Sequence, residues 1–180
     1  METSVKTKWN IDASHSELLF KVKHLMITNV KGDFRKFTAE VDAANDDFTD
    51  AEIKLSIDAA SVFTNNEDRD NHLRSADFFD SEKFPHITFE STSFKKVNGD
   101  DYKLTGFLTI KGISKEITLN AEFGGLNRDP WGNDKAGFSI SGAFNRKDWG
   151  LNWNAALETG GVLVSDEVKM SAEVQFVKVS

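Results

Sequence analysis

Cysteine is absent from the 180-residue sequence, and proline occurs only at Pro85 and Pro130. Without cysteine the chain has no disulfide, no thiolate nucleophile and no cysteine-ligated zinc or iron–sulfur site. Both prolines lie outside the centres of the strands predicted below, so proline interrupts none of them. These two absences leave the redox state of the compartment open and permit long strands.

Long apolar runs are missing as well. Residues 1–16 are polar and lack the apolar core of a signal peptide, and no later stretch approaches the roughly 18 apolar residues that span a bilayer. We therefore expect a cytoplasmic location for the sequence as written, and a periplasmic one if the natural chain starts earlier. Stable membrane insertion is not expected.

Positive charge is in deficit. The chain has 22 Lys and Arg residues against 29 Asp and Glu, and its net charge of −7 is spread along the sequence. This balance repels a phosphate backbone and an anionic bilayer, so we expect no nucleic-acid partner and no electrostatic attachment of the whole protein to a membrane. Any membrane contact has to be transient or local.

Familiar catalytic and metal-binding motifs are also missing from the sequence. The four histidines stand apart, without an HExxH or HxH pair, and no glycine-rich phosphate loop occurs. Residues 137–141, GFSIS, lack the final glycine of a GxSxG nucleophile elbow. Carboxylates are abundant, but no spacing singles out a catalytic pair. We therefore expect no catalytic residues, no metal and no cofactor, and we favour a binding protein over an enzyme.

The strongest pattern present is the alternation of apolar and polar residues with a period of two. It is clear over residues 51–58, 102–110 and 167–176, as expected for half-buried antiparallel strands. Lys111 and Gly112 fit a two-residue hairpin turn that leads into a return strand. Weaker strands are predicted over residues 8–12, 17–24, 30–42, 86–95 and 136–145.

These patterns predict eight or nine strands in an all-β domain that spans residues 1–180. A length of 180 residues with 39% hydrophobic composition suits one well-packed domain. We favour an extended antiparallel eight-stranded β-barrel, because an open sandwich would leave long strands with unprotected edges. A two-layer sandwich is the alternative.

A polar segment near residues 66–80 interrupts the strands. Asn65 or Asn66 can cap a short helix, and the turn after this helix carries Phe78 and Phe79 towards the interior. We predict a short helical insert that covers an open end of the barrel. Its basic side chains are explained equally well by ordinary helix-end chemistry, which favours cations there, and by a site for a ligand head group.

The predicted interior is rich in rings that carry no hydroxyl group, with 15 Phe and four Trp against one Tyr. Gly106, Gly142 and Ala172 each fall midway along an inward face, and three neighbouring gaps predict an enclosed apolar channel about as wide as a hydrocarbon chain. The alternatives are an ordinary packed core and glycines that relieve strand coiling.

Four ordered blocks of the sequence resemble the YceI-like family: residues 9–34, 69–91, 106–119 and 146–168. Together they cover almost the whole chain. The resemblance implies an extended, lipocalin-like antiparallel barrel. It also implies that the lumen binds amphiphilic isoprenoids such as polyprenyl phosphates or ubiquinone-type quinones. Many members of the family resemble exported proteins with a signal peptide, and residues 1–16 of the sequence as written do not have the pattern of one.

We therefore expect non-catalytic binding, storage or transport of an amphiphilic long-chain lipid, with its tail in the lumen. The expected partner is a hydrophobic small molecule, such as a bound isoprenoid lipid or quinone, and a homodimer is left open. Each buried methylene contributes about 0.8 kcal/mol, so the tail would supply most of the affinity. The alternative function is an enzyme or stress-response protein that uses the same barrel with a filled or polar interior.

The residues predicted to contact the ligand are inward apolar side chains and polar groups near the open end. The apolar contacts are Phe20, Val22, Met26, Phe34, Ile57, Phe78, Phe79, Phe89, Leu108 and Phe138. The head-group contacts are His24, Arg69, His72, Arg74 and Arg146. Trp149 and Trp153 fit either an apolar rim or a shared core. His24 also fits a core histidine with a hydrogen-bond partner.

Overall fold

A computed structural model describes residues 6–44, 47–155 and 163–179 of the protein. Over those residues the chain forms antiparallel strands, an α-helix and short 3₁₀ turns. The strands are β1 (Lys6–Ile11), β2 (Glu17–His24), β3 (Thr28–Phe34), β4 (Phe37–Ala44), β5 (Asp47–Asp58), β6 (Val62–Phe63), β7 (His86–Asn98), β8 (Asp101–Ile110), β9 (Ile113–Arg128), β10 (Asp134–Asn145) and β11 (Glu167–Val179). The helix is α1 (Glu67–Arg74), and the 3₁₀ turns are Ala13–His15, Ala59–Ser61 and Arg146–Trp149.

Strand pairing closes the sheet into a barrel. The strands follow one another in the order β1, β4, β5, β7, β8, β9, β10 and β11, and the end of β11 pairs back onto β1, with Ile11 opposite Phe176. The start of β11 pairs with β2, which pairs with β3. β1 and β2 therefore lie end to end beside β11 and count as one strand of the barrel wall. β4 and β3, which pair with them, likewise count as one strand. The result confirms the predicted closed eight-stranded antiparallel barrel.

One predicted strand is divided in the structure. Alternation predicts a continuous strand over residues 30–42, but β3 and β4 are separate. Between them the backbone N–H of Lys36 donates to Ser61 Oγ at 3.0 Å, and the N–H of Arg35 donates to Ser61 O at 3.2 Å. The prediction of a single strand was wrong because this hydrogen bonding goes to a distant turn, which alternation does not reveal.

β1 and β2 are also separate strands, and Asp12 stabilises the turn between them. Its carboxylate accepts hydrogen bonds from Ser14 Oγ at 2.7 Å and from the backbone N–H of Ser14 at 3.2 Å, and it forms an ion pair with Lys135 on β10. The hydrogen bond from Lys135 is the largest of the causes that hold the pKa of Asp12 far below its ordinary value. The ionised carboxylate therefore ties this turn to the neighbouring wall.

We expect the Asp12→Asn substitution to lower the free energy of unfolding by about 1 kcal/mol near neutral pH, because it removes this ion pair. Since the folded-state pKa is depressed, the contribution is fully present above the unfolded-state pKa of about 3.9 and is lost as the pH falls towards the folded-state pKa. Urea denaturation of both proteins near neutral pH and at about pH 3 measures the difference. A difference of equal size at both pH values would contradict the assignment.

The turn between β8 and β9 is the hairpin predicted from Lys111 and Gly112. Ile110 pairs with Ile113 across it, and the two turn residues have φ values of 53° and 74°. Positive φ at both central positions defines a type I′ turn, whose twist matches that of the strands it joins. This turn fixes the register in which Leu104 and Leu108 face the interior.

The helical insert is confirmed as α1 and the turn that follows it. Asn66 caps the helix, since its side chain accepts a hydrogen bond from the N–H of Arg69 at 3.0 Å. Ser75 ends it, and its carbonyl accepts a hydrogen bond from the N–H of Phe78 at 3.0 Å. The turn formed in this way directs both Phe78 and Phe79 towards the barrel interior.

Aromatic rings fill one end of the barrel, here called the filled end. Phe48 is 5.3 Å from Trp9 and 5.1 Å from Phe138, measured between ring centroids. Phe94 and Phe123 pack against Phe138 at 6.0 and 5.2 Å. The rings occupy the interior there, so this end is a conventional packed core.

Candidate functional site

Beyond the filled end the barrel encloses a cavity of about 600 Å³. Its walls are mainly apolar side chains from the barrel strands, together with α1 and the turn after it. The volume lies within the range of roughly 300–1,000 Å³ that is typical of small-molecule pockets. The predicted ligand contacts that line it are Phe20, Val22, His24, Phe34, Ile57, Arg69, His72, Phe78, Phe79, Phe89, Leu108, Arg146 and Trp153.

Met26 and Phe138, two of the predicted apolar contacts, lie outside this lining. Alternation would carry the inward face of β2 on to Met26, but the chain reverses there, and the N–H of Ile27 donates to His24 O at 3.1 Å. Met26 is left 51% exposed on the outside. Phe138 does face inwards, but it belongs to the filled end, where it packs against Phe48.

Trp149 and Arg74 also lie outside the lining. Trp149 is 1% exposed, and its Nε1 donates to Leu108 O at 2.8 Å, so this tryptophan belongs to the core and not to the rim. Arg74 donates from Nε to Ala60 O and from Nη1 to Asn71 Oδ1, each at 2.8 Å. The bond to Ala60 O fastens the end of α1 to the turn before β6, whereas Asn71 lies on α1 itself.

The two glycines predicted to open the lumen do not do so. A Cβ atom at Gly106 would lie 2.6 Å from Phe89 Cζ, and one at Gly142 would collide with Leu119 Cδ2. Each glycine is therefore covered by a large neighbouring side chain, and that prediction was wrong. Ala172 does line the cavity. The cavity exists because the inward side chains beyond the filled end do not meet across the barrel.

Some lining residues carried no sequence signal. Leu163 and Val164 lie outside every alternating run, and they reach the cavity because Val164 bridges to His24 and Leu163 O accepts a hydrogen bond from the N–H of Leu25 at 2.8 Å. Met170 could have been found, because the alternation of β11 places it on the inward face.

Polar side chains gather at one end of the cavity, here called the mouth and formed by His24, Arg69, His72, Trp153 and Val164. The His72 ring lies 4.6 Å from that of Trp153 in an edge-to-face arrangement, and its Nε2 is 2.9 Å from Asp77 Oδ2. Trp153 O and Val164 O both accept hydrogen bonds from Arg146. A continuous set of contacts thus joins α1 to the end of β2.

Arg146 holds the mouth together from inside the wall. Its side chain is 3% exposed, and Nη1 donates to Leu151 O at 2.5 Å and to Trp153 O at 2.8 Å, while Nε donates to Ser165 O at 2.9 Å. Burial lowers the pKa of this guanidinium, and the carboxylate of Asp166, 3.9 Å away, partly offsets that effect. Most of its donors are therefore used in the protein.

Arg69 is held in place but keeps donors free. Its Nε donates to Thr64 Oγ1 at 2.7 Å and its Nη2 donates to Thr64 O at 2.6 Å, while buried Asp70 accepts from Thr64 Oγ1 at 2.5 Å. Nη1 of Arg69 has no hydrogen-bond partner among the described residues. Because the guanidinium is already oriented, this nitrogen is a ready donor to an anionic or carbonyl oxygen at the mouth.

His24 is half-buried in the cavity wall. Among the described residues its imidazole has no hydrogen-bond partner, although the sequence left open a core histidine with one. A polar ring in an apolar wall without a protein partner is satisfied by water or by a ligand. His24 and Arg69 Nη1 are therefore two groups of the mouth that can still hydrogen-bond a ligand. Nδ1 of His72 and Nε1 of Trp153 likewise have no hydrogen-bond partner among the described residues.

Ser14, His15 and Asp12 come together without forming a catalytic relay. Nδ1 of His15 is 2.8 Å from Asp12 Oδ2 and 3.2 Å from Ser14 Oγ. A Ser–His–Asp relay uses the two ring nitrogens separately, whereas here both contacts fall on one.

Over residues 6–44, 47–155 and 163–179, the side chains form no group of three or more His, Asp or Glu that could hold a metal ion. Nor does any described helix have the length and hydropathy to cross a bilayer.

The fold and the site together define a β-barrel with an apolar internal cavity and a polar mouth, the form of a binding protein for hydrophobic small molecules. The chain belongs to the YceI-like family, since the model of the YceI-like domain matches residues 9–176. A UPF0312 protein of Staphylococcus epidermidis is 43% identical over 171 residues, which cover 94% of this chain and 97% of that protein.

Solved structures share the barrel. The YceI protein of Campylobacter jejuni is 36% identical with a TM-score of 0.76, over 88% of this chain and 90% of that one. BcnA of Burkholderia cenocepacia has a TM-score of 0.80 at 23% identity, over 92% and 98% of the two chains. A polyisoprenoid binding domain from Saccharophagus degradans has a TM-score of 0.69 at 18% identity, over 94% and 97%. The last two likenesses show the shared fold.

Proposed function

We propose that this protein binds an amphiphilic long-chain lipid of the isoprenoid class without catalysing a reaction. The tail lies in the cavity and the polar head at the mouth. One observation carries the proposal: the cavity has mainly apolar walls, and His24 and Arg69, two polar groups with spare hydrogen-bonding capacity, lie at its mouth. A prenyl phosphate or an isoprenoid quinone has the same division between tail and head.

The relatives support this ligand class. The Saccharophagus degradans structure is described as a polyisoprenoid binding domain, and it shares the barrel fold with this chain. The chain also belongs to the same family as the Campylobacter jejuni YceI protein. Binding of such a lipid suits its storage or its transport between membranes.

The energetics favour a long tail. Each methylene transferred from water into the cavity contributes about 0.8 kcal/mol, so a tail that buries ten carbons gains about 8 kcal/mol before ordering costs are subtracted. Hydrogen bonds to the head add about 1.5–3 kcal/mol when one partner is charged. The tail therefore sets the affinity, and the head sets the orientation in the cavity.

Titration of lipid-stripped protein tests the proposal. A long-chain prenyl phosphate, the matching prenyl alcohol and a ubiquinone-type quinone are each titrated, and native mass spectrometry of freshly purified protein looks for a bound lipid. We expect saturable binding of at least one ligand at one site per chain. If none saturates and no lipid co-purifies, the proposed function fails.

Arg69 should distinguish between head groups. We expect Arg69→Gln to weaken binding of the prenyl phosphate about tenfold and to leave the prenyl alcohol nearly unaffected, because only the phosphate gains a charge-assisted hydrogen bond. Calorimetric titration of both ligands measures the difference. Arg128→Gln is the charge-matched control, since Arg128 is an exposed arginine outside the cavity lining, and it should leave both affinities unchanged. Equal losses for the two ligands would contradict a head-group role for Arg69.

A further inference from the structure

The hairpin that joins β2 to β3 ends in three apolar side chains exposed to solvent. Leu25, Met26 and Ile27, here called the hairpin tip, are 38%, 51% and 78% exposed. Single exposed apolar residues are common on protein surfaces, but a consecutive set at the end of a projecting hairpin is a recognisable interaction surface. The described residues provide no cover for it.

The backbone of the hairpin tip is unfavourable for the residues that occupy it. Leu25 and Met26 have φ values of 54° and 59°, and the N–H of Ile27 donates to His24 O at 3.1 Å, so both central residues of this turn are left-handed. Such turns favour Asn-Gly at the two central positions, because side chains with a Cβ are strained at positive φ. Large apolar residues here cost stability, so a role outside the folding of the hairpin is indicated.

The hairpin tip adjoins the mouth of the cavity. The N–H of Leu25 donates to Leu163 O at 2.8 Å, and His24, the residue before it, bridges to Val164. His24, Leu163 and Val164 all line the cavity. Apolar surface therefore continues from the exposed tip to the cavity wall.

Lysines on the outer faces of this hairpin and of the neighbouring strand β11 form a row. Strand register places Lys169 of β11 opposite Lys21 of β2, and Lys21 opposite Lys31 of β3. Like charges directly opposite one another destabilise a sheet. Among the described residues, none of the three forms an ion pair. Glu167 is the acidic neighbour along β11, and Asp33, which forms an ion pair with Arg35, is the acidic neighbour along β3.

This lysine row is a local patch of positive charge on a protein whose net charge is −7. It lies about four residues from the hairpin tip, or about 13 Å at the rise of a β-strand. Lys23 lies between the row and the tip. When the tip reaches the acyl chains of a bilayer, the lysine side chains are at the level of the head groups, where each basic residue attracts anionic lipid.

We propose that the hairpin tip and the lysine row form a docking surface for an anionic lipid bilayer. The tip enters the outer part of one leaflet and the lysines contact its head groups, which brings the mouth to the membrane surface. Three side chains on one turn are too few for a stable protein interface, which buries upwards of about 1,000 Å² in total. Docking of this kind is peripheral and does not depend on which ligand fills the cavity.

Vesicle flotation tests the docking surface. The protein is mixed with vesicles of phosphatidylcholine alone and of phosphatidylcholine with phosphatidylglycerol, at low and at high salt. We expect it to float with the anionic vesicles, and to do so less at high salt because screening weakens the lysine contribution. Absence of flotation with the anionic vesicles at low salt would overturn the proposal.

Two variants separate the apolar and the charged contributions. Leu25→Asn/Ile27→Ser removes most of the apolar tip and places Asn at a positive φ, which Asn tolerates better than Leu, and we expect about a tenfold loss of vesicle binding with no loss of thermal stability. Lys21→Gln/Lys31→Gln should lose about tenfold on anionic vesicles and remove much of the salt dependence. Parent-level binding by both variants would overturn the docking surface.

Trp131→Ser is the matched control. Trp131 is 83% exposed in the turn between β9 and β10, at the start of β10, whereas the end of β10 leads into Arg146 at the mouth. The two ends are about 35 Å apart along the strand. This variant should float like the parent, and a loss confined to it would place docking at the filled end. Prenyl phosphate titration of the tip variant without vesicles should match the parent, so failure of docking and failure of lipid binding are distinguishable.

Discussion

Filling the cavity should abolish lipid binding while the protein stays folded. Ile117 of β9 and Ile140 of β10 both line the cavity. The Ile117→Trp/Ile140→Trp variant places two indole rings where the tail would lie. Excluding five methylenes removes about 4 kcal/mol, which is roughly a thousandfold in affinity. Titration with the long-chain prenyl phosphate measures the loss, and urea denaturation measures the stability.

The matched control carries the same rings on the outer face of the same strands. Thr118 and Ser141 are exposed neighbours of the two isoleucines, so Thr118→Trp/Ser141→Trp adds equal bulk outside the barrel. It should bind with the affinity of the parent. Overpacking of a full core costs about 1–3 kcal/mol, whereas an open cavity can accept the rings. Parent-level affinity in the inward variant would show that the tail does not occupy this cavity.

Much of the barrel was accessible from the sequence because its strands alternate so regularly. A period of two assigns every second residue of β5, β8 and β11 to the interior, and the turn at Lys111 and Gly112 then fixes how β8 pairs with β9. The cap of α1 was predictable for a similar reason, since Asn66 acts on the N–H of Arg69 three residues later. Interactions of this kind are local, so a single sequence displays them.

The cavity was harder to predict because its shape depends on contacts between distant residues. Gly106 and Gly142 looked like gaps, but Phe89 and Leu119 from adjacent strands cover them. Alternation assigned Phe138 correctly to the interior, yet it cannot tell the filled end from the open half. That distinction depends on whether opposite side chains meet across the barrel, and the sequence does not order residues along the barrel axis.

The mouth shows the same division between local and distant contacts. The polar residues of α1 were visible as candidates, but which of them faces the cavity depends on what the others bind. Arg74 donates to Ala60 O and Arg69 donates to Thr64. Of these two arginines, Arg69 lines the cavity and Arg74 does not. Arg146 was predicted as a head-group contact. The structure shows that its donors serve carbonyls that are up to 19 residues away in sequence.

Arg146→Met should therefore destabilise the protein strongly. The substitution leaves the carbonyl of Leu151 without its donor in a buried position, where an orphaned group costs about 1–3 kcal/mol, and the part-buried carbonyls of Trp153 and Ser165 lose theirs as well. Relief from burying the guanidinium charge offsets part of this cost. We expect the free energy of unfolding to fall by about 3 kcal/mol, as measured by urea denaturation.

Arg146→Met should also weaken ligand binding, because the hydrogen bonds of Arg146 position Trp153 beside His72 at the mouth. Arg146→Lys should recover only part of the stability, since a single ammonium group cannot reproduce the planar fork that reaches several carbonyls at once. Arg128→Met is the control at an exposed arginine whose partner is Asp134, and it should change stability little. If Arg146→Met and Arg128→Met have equal effects, Arg146 does not hold the mouth together. A stable Arg146→Met protein that has lost prenyl phosphate binding alone would instead make Arg146 a direct contact of the head group.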